Sequence, residues 1–277
     1  MSIKSFKKKK VLLLSLVFLT YMLGGCVMKV NDYSNNLYEA IKEHDADRFH
    51  ELLNQGGELN KPRVENPIIF IPRNNDYENV YPIEIACKEA PDMALELLSA
   101  GADPNIVDDY LSSTPLIYAL ETNKQQRFNL AMTLIEYGVN INHVDALGRT
   151  ALNASVEVLE TDGEEVRDKS MELLKYLLEN ADVPQVIEQS GNNPLNAAAQ
   201  YNNLDAIKYI VLNKYIDINT ICGGYTPLMQ AVLAQNEEAC ELLLSLGADK
   251  GIVSAKNKTA YDYAVSKKND VILRMLK

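Results

Sequence analysis

Apolar and polar positions follow a long-range rhythm along this chain. Six short runs open on Thr, Asn or Tyr and continue with small and apolar residues: YPIEIA from Tyr81, TPLIYA from Thr114, TALNAS from Thr150, NPLNAA from Asn193, TPLMQA from Thr226 and TAYDYA from Thr259. The steps between them are 33, 36, 43, 33 and 33 residues. Roughly twenty residues after several starts comes a second pattern, seen in LLSAGADPN (Leu97 to Asn105), LIEYGVNIN (Leu134 to Asn142), LLENADVP (Leu177 to Pro184) and LLSLGADK (Leu243 to Lys250). A degenerate first unit runs from Leu37 to Asn60. A Thr or Asn at a start can cap a helix, Pro in the first turn has no amide hydrogen to leave unpaired, and the apolar and Ala spacing buries one face. Each unit is therefore expected to form two helices. Gly101, Gly138 and Gly247 stand where a left-handed residue would close the second, and the Asp/Asn-rich stretch after them predicts a turn. One such pair cannot bury its apolar face alone, so neighbouring units must stack.

Two signatures recurring in phase resemble the ankyrin repeat, with about seven repeats covering 37–277. The resemblance implies an all-α solenoid of helix-turn-helix units. It also implies protein binding along a concave face made by the inter-repeat turns and first helices. At about 8–10 Å per unit such a stack is roughly 60–70 Å long. On that basis the candidate contacts are Asp108, Asp109 and Tyr110 in one turn, His143 and Asp145 in the next, Ile221 and Tyr225 further on, and Tyr118 and Tyr201 on first helices. Tyrosine supplies large contact area at low entropy cost, although at any one position it can equally serve packing.

Two insertions depart from the period. Residues 61–80 read KPRVENPIIFIPRNNDYENV, where Pro62, Pro67 and Pro72 forbid a regular helix and the apolar run includes Ile69 and Phe70. This loop either folds over the edge of the first repeat's core or presents Ile69 and Phe70 to a partner. The acidic insertion LETDGEEVRDK (159–169) is expected to lengthen the connection between the helices of the fourth repeat, giving a solvated, extended helix pair.

The first 25 residues have the three parts of an export signal: basic Lys4 and Lys7 to Lys10, apolar Val11 to Leu23, and small Gly24 and Gly25. The uncharged stretch extends to Met28, which touches the lower limit for a membrane span. Leu23-Gly24-Gly25-Cys26 resembles the lipobox of bacterial lipoproteins. That likeness implies cleavage before Cys26, lipidation of Cys26 and a membrane anchor, and it is favoured over an uncleaved anchor helix or an ordinary secretory signal. Single acyl chains bind a membrane only marginally, whereas two or more hold stably. Residues 26–36 would then be the lipidated cysteine and a short tether. Val27 in place of Asp after the cysteine favours the outer membrane, facing the periplasm, in a Gram-negative host.

Charge narrows the partners. A chain beginning at Cys26 keeps 22 basic against 38 acidic residues, net −16. With no stripe of Lys/Arg expected after residue 25, nucleic acid is an unsuitable partner and a basic protein a suitable one. Catalytic, metal and cofactor motifs are not found: there is no GxSxG, HExxH, Walker or GxGxxG pattern, and His44 and His50 stand six apart, far round a helix from each other. Asp45 or Asp47 is explained as a cap on the second helix. Cys87 and Cys240 fall at core-facing positions and Cys222 in a turn; Cys222 and Cys240 either bond or remain buried thiols. No enzyme, cofactor or small-molecule substrate is expected. Two roles stay open: an immunity protein that captures an antibacterial effector such as a type VI secretion phospholipase, and a scaffold for a cell-envelope complex.

Overall fold

In the computed structural model the described residues are 33–62, 80–121, 126–157, 163–183, 187 and 192–277. Fourteen of their helices form seven pairs. In chain order these are α1 (33–42) and α2 (Ala46–Gln55), α3 (Pro82–Glu89) and α4 (Pro91–Ser99), and α5 (Pro115–Glu121) and α6 (Arg127–Glu136). Then follow α7 (Ala151–Ala154) and α8 (Glu164–Asn180), α9 (Pro194–Gln200) and α10 (Leu204–Leu212), α11 (Pro227–Ala234) and α12 (Glu237–Ser245), and α13 (Ala260–Lys267) and α14 (Asp270–Leu276). Cys222 and Tyr225 form an antiparallel β bridge inside one turn.

The starts read from the sequence are helix caps. Thr150, Thr226 and Thr259 accept from the amides of Asn153, Met229 and Asp262, and Asn193 accepts from Asn196. Prolines 82, 194 and 227 occupy the first helical turn, where their missing N–H costs nothing. Asp45 caps α2 through the Arg48 amide. Gly101, Gly138 and Gly247 have φ of 98°, 81° and 97°, the left-handed closures the spacing predicts.

First helices stack as one layer (α3, α5, α7, α9, α11, α13) and second helices as another (α4, α6, α8, α10, α12, α14). Leu37, Ile83, Leu116, Leu152, Leu195 and Leu228 hold the same position on successive first helices and are at most 1% exposed. Leu97, Leu134, Leu177, Ile210 and Leu243 do the same from the second layer, all at 0%. The core is thus a pair of apolar ladders running the length of the stack.

A polar ladder accompanies it. Asn60 Oδ1 accepts from the Asp103 amide at 2.8 Å, Asn105 Oδ1 from Asn140 at 2.7 Å, Asn142 Oδ1 from Asp182 at 2.8 Å and Asn219 Oδ1 from Asp249 at 2.9 Å. Each bond ties the turn of one unit to the turn of the next. Three of the braced turns are themselves closed by an Asp or Asn side chain accepting two residues on, as Asp103 does from Asn105.

Several expectations change. The tether was placed at 26–36, yet residues 33–36 are helical, Ser34 is buried, and a Cβ on Gly57 would lie 2.5 Å from the Tyr33 ring. The first unit therefore begins at or before Tyr33, because Tyr33 packs into the start of the stack. Glu164 to Lys169 of the acidic insertion form the opening turns of α8, so this part lengthens a helix rather than a connection. Cys87, Cys222 and Cys240 are free and buried. Desolvation pushes the Cys240 thiol up to about 12 and Cys87 higher still, so both stay protonated. Cys26, Ile69 and Phe70 lie outside the described residues. No described helix is long and apolar enough to cross a membrane.

Candidate functional site

The turns between units form one edge of the stack, and their geometry decides which candidate residues face outward. Asp108 is 6% exposed. Its Oδ1 accepts from the amides of Tyr110 (2.8 Å) and Leu111 (2.6 Å), and its Oδ2 from the Ser113 amide (2.8 Å) and the Tyr118 hydroxyl (3.0 Å). Asp145, 5% exposed, holds the next turn in the same way through the amides of Leu147 and Arg149 and the Arg149 guanidinium. Ser254 repeats the pattern further along, accepting from Lys256 and Lys258. Asp108 and Asp145, expected as partner contacts, are thus internal anchors whose acceptors are filled by their own turns. Tyr118 is half-buried with its hydroxyl committed to Asp108, so it too holds the turn.

His143 lies against the preceding turn, its Nε2 2.5 Å from the Ser112 carbonyl oxygen. Tyr201 hydrogen-bonds the Glu157 carboxylate, and Tyr225 packs against Tyr263 with ring centroids 5.8 Å apart. These three are partly exposed residues that also brace neighbouring units. Asp109, Tyr110 and Ile221 face solvent, Tyr110 at 70% and Ile221 at 51%.

Sequence reasoning missed three residues of the same edge. Leu147 (65%) stands two residues after Asp145, as Tyr110 stands two after Asp108. Val107 (39%) and Val253 (47%) stand one residue before Asp108 and Ser254, as Ile221 stands one before Cys222. Register counted from the turn anchor is the signal that finds them. Large apolar side chains therefore recur at the turn tips, on a rigid frame with low side-chain entropy to lose, which suits them to contact a protein surface.

Beneath the first of these turns lies a buried acid. Glu84 is 3% exposed; one carboxyl oxygen accepts from the Tyr81 amide at 2.9 Å and the other has no partner. Burial, then the nearby Asp108 and Asp109 carboxylates, raise its pKa from 4.5 to about 8, against the opposing hydrogen bond from Tyr81. The stability that Glu84 contributes is full below its unfolded value near 4.5 and is lost as pH rises through about 8. Glu84→Gln, neutral at every pH, is expected to raise the melting temperature little at pH 5 and clearly at pH 9. Equal shifts at both pH values would contradict a protonated Glu84.

Other polar groups have internal duties. The Arg127 guanidinium donates to the Glu157 carbonyl at 2.7 Å, Arg149 pairs with Glu121 and Asp145, and His50 Nε2 is 2.9 Å from Glu96. Among the described residues no group of three or more His, Cys, Asp or Glu is placed to hold a metal.

Paired helices in two layers, with left-handed Gly closures and an exposed edge of turns, define a helical repeat protein. The chain belongs to the ankyrin repeat family: the family model for ankyrin repeats (3 copies) matches residues 83–162 and 165–254. It is 25% identical over 258 residues to FPV022 of fowlpox virus (strain NVSL), a protein named as an ankyrin repeat protein, covering 84% of this chain and 39% of that one. It is 24% identical over 254 residues to the Homo sapiens palmitoyltransferase ZDHHC13, covering 90% of this chain and 36% of that one. The chain thus spans under half the length of these relatives. The ankyrin repeat domain of human ASB11 superposes with a TM-score of 0.61 at 23% identity, covering 87% of this chain and 97% of that domain, a likeness of fold.

Proposed function

We propose that this chain is a protein-binding module held at a membrane surface by lipidated Cys26, and that its turn edge captures a basic partner. The observation that carries the reading is the recurrence of exposed apolar side chains at two positions of the turns, Tyr110 with Leu147 and Ile221 with Val253. Acidic character adds the preference for a basic partner: residues 33–249 hold 14 Lys/Arg against 35 Asp/Glu, net −21. The finer proposal is an envelope immunity protein, exposed to the periplasm from the outer membrane, that covers the active site of an antibacterial effector such as a type VI secretion phospholipase. Attachment at Cys26, a few residues before the first unit, would keep the turn edge close to the lipid such an effector attacks.

The test co-expresses a periplasm-directed effector phospholipase with the chain, with Cys26→Ser and with the combined Tyr110→Ala, Leu147→Ala and Ile221→Ala variant. The intact chain is expected to protect the cells and to fractionate with membranes. Cys26→Ser should leave the membrane fraction with the fold unchanged, and the turn variant should lose about tenfold or more in effector affinity, since truncating even one hot-spot side chain costs about 2 kcal/mol or more. Equal killing with and without the intact chain sinks the immunity role. If the chain instead recovers resident envelope proteins through the same turn residues, it is a scaffold for an envelope complex.

A further inference from the structure

The two ends of the stack differ from its middle in complementary ways. The forward-facing position held by Val265 is occupied by Ile41, Cys87, Leu120, Val156, Ala199 and Val232 in the earlier units, and all of these are buried. Val265 is 51% exposed, and Tyr261, at the position of Leu228, is 38% exposed. That position is buried in the first described unit, which has a successor, and open in the last described one. A following repeat is therefore what covers it elsewhere. Leu52 shows the converse: its counterparts Leu97, Ile210, Leu243 and Leu276 are at most 4% exposed, whereas Leu52 is only half-buried. Because Leu276 is covered in the last described unit, a preceding repeat is what covers this position.

Charge is arranged on the same plan. The sequence expectation of no basic cluster after residue 25 fails at the far end of the stack, where the last unit (259–277) holds four Lys/Arg against two Asp, net +2, and the turn leading into it (250–258) adds three Lys and no acid. Lys267, Lys268, Arg274 and Lys277 are exposed around Val265 and Tyr261 in chain position, and no ion pair engages them among the described residues. Residues 33–60 hold Lys42 and Arg48 against six acids, net −4, with Asp47 and Glu51 exposed on α2 beside Leu52.

From these facts we infer that the chain self-associates head to tail: the open, basic face of the α13–α14 unit receives the acidic face of the α1–α2 unit of a second copy. Val265 and Tyr261 then regain the cover that every inner counterpart has, and opposite charges meet around them. Pairing two last units would instead place basic face against basic face. Such a contact is heterologous, so it adds copies in series rather than closing as a symmetric dimer. It is also salt-sensitive, because the pairing charges are exposed.

The test is sedimentation velocity on the whole chain in a mild detergent across protein and salt concentration. Species above monomer should grow with protein concentration at low salt and revert to monomer at high salt. Val265→Glu, at an exposed site, should block the forward face, and Asp47→Lys with Glu51→Lys, also exposed, the backward one; each variant alone should stay monomeric. Mixed together they retain one good face each and should form a dimer and nothing larger. A wild-type chain that is monomeric throughout overturns the inference. So does an Asp47→Lys/Glu51→Lys chain that dimerises by itself, which would mean pairing of last units, or a mixture that stays monomeric.

Discussion

Leu195→Ala should destabilise the chain by about 3–5 kcal/mol in urea denaturation, the range for truncating a fully buried Leu. Leu195 is 0% exposed in the first turn of α9, which packs against α7 before it and α11 after it. Removing three carbons there leaves a void that neither neighbour can fill, since Leu152 and Leu228 are themselves fixed in the same ladder. The stack is held together by contacts between adjacent units, so a fault in the middle weakens the coupling between its halves as well as the local packing. The urea transition should therefore broaden or divide in two as well as move to lower concentration. An unchanged midpoint would contradict the placement of Leu195 in the core.

Asp108→Ala should cost about 2–4 kcal/mol, more than an ordinary turn substitution, because three backbone amides and the Tyr118 hydroxyl lose their acceptor together. The Ser113 amide is left buried without a partner, the most costly part of the loss. Asp108→Asn keeps one acceptor oxygen and should recover part of the stability. Hydrogen exchange checks the cause: the amides of Tyr110, Leu111 and Ser113 should lose protection in Asp108→Ala while those of α11 and α12 do not. If Asp108→Ala instead leaves stability intact and abolishes capture of a partner, Asp108 is a contact and not an anchor.

Asp108 also marks where the sequence stops being legible. The repeat starts at Thr150, Asn193, Thr226 and Thr259 could be read directly, because capping is a local property of a few residues. The Gly closures are local in the same sense. An Asp in a polar turn, by contrast, looks the same whether it meets solvent or collects backbone amides. The difference depends on dihedrals that bring three amides to one carboxylate. Tyr118 was ambiguous for the same reason, its hydroxyl being committed ten residues back in the chain. Leu147 and Val253 were overlooked because an isolated aliphatic residue beside a turn resembles the margin of a core; only the register relative to Asp145 and Ser254 places them at the tips. The start of α1 was blurred by NDYSNN, which offers several capping residues in a row. The basic last unit was hidden by averaging its charge with residues 33–249, which together carry net −21.

The asparagine ladder has a direction. Asn60, Asn105, Asn142 and Asn219 each reach forward to the turn that follows, so a brace can close only once the next unit has been made. A chain emerging from a ribosome or a translocation pore presents its units in that order. At these four junctions a newly emerged turn finds a ready acceptor on the unit before it, and no early unit waits on a distant one. Assembly can thus keep pace with emergence, growing from the α1–α2 end as a zipper whose teeth all point one way.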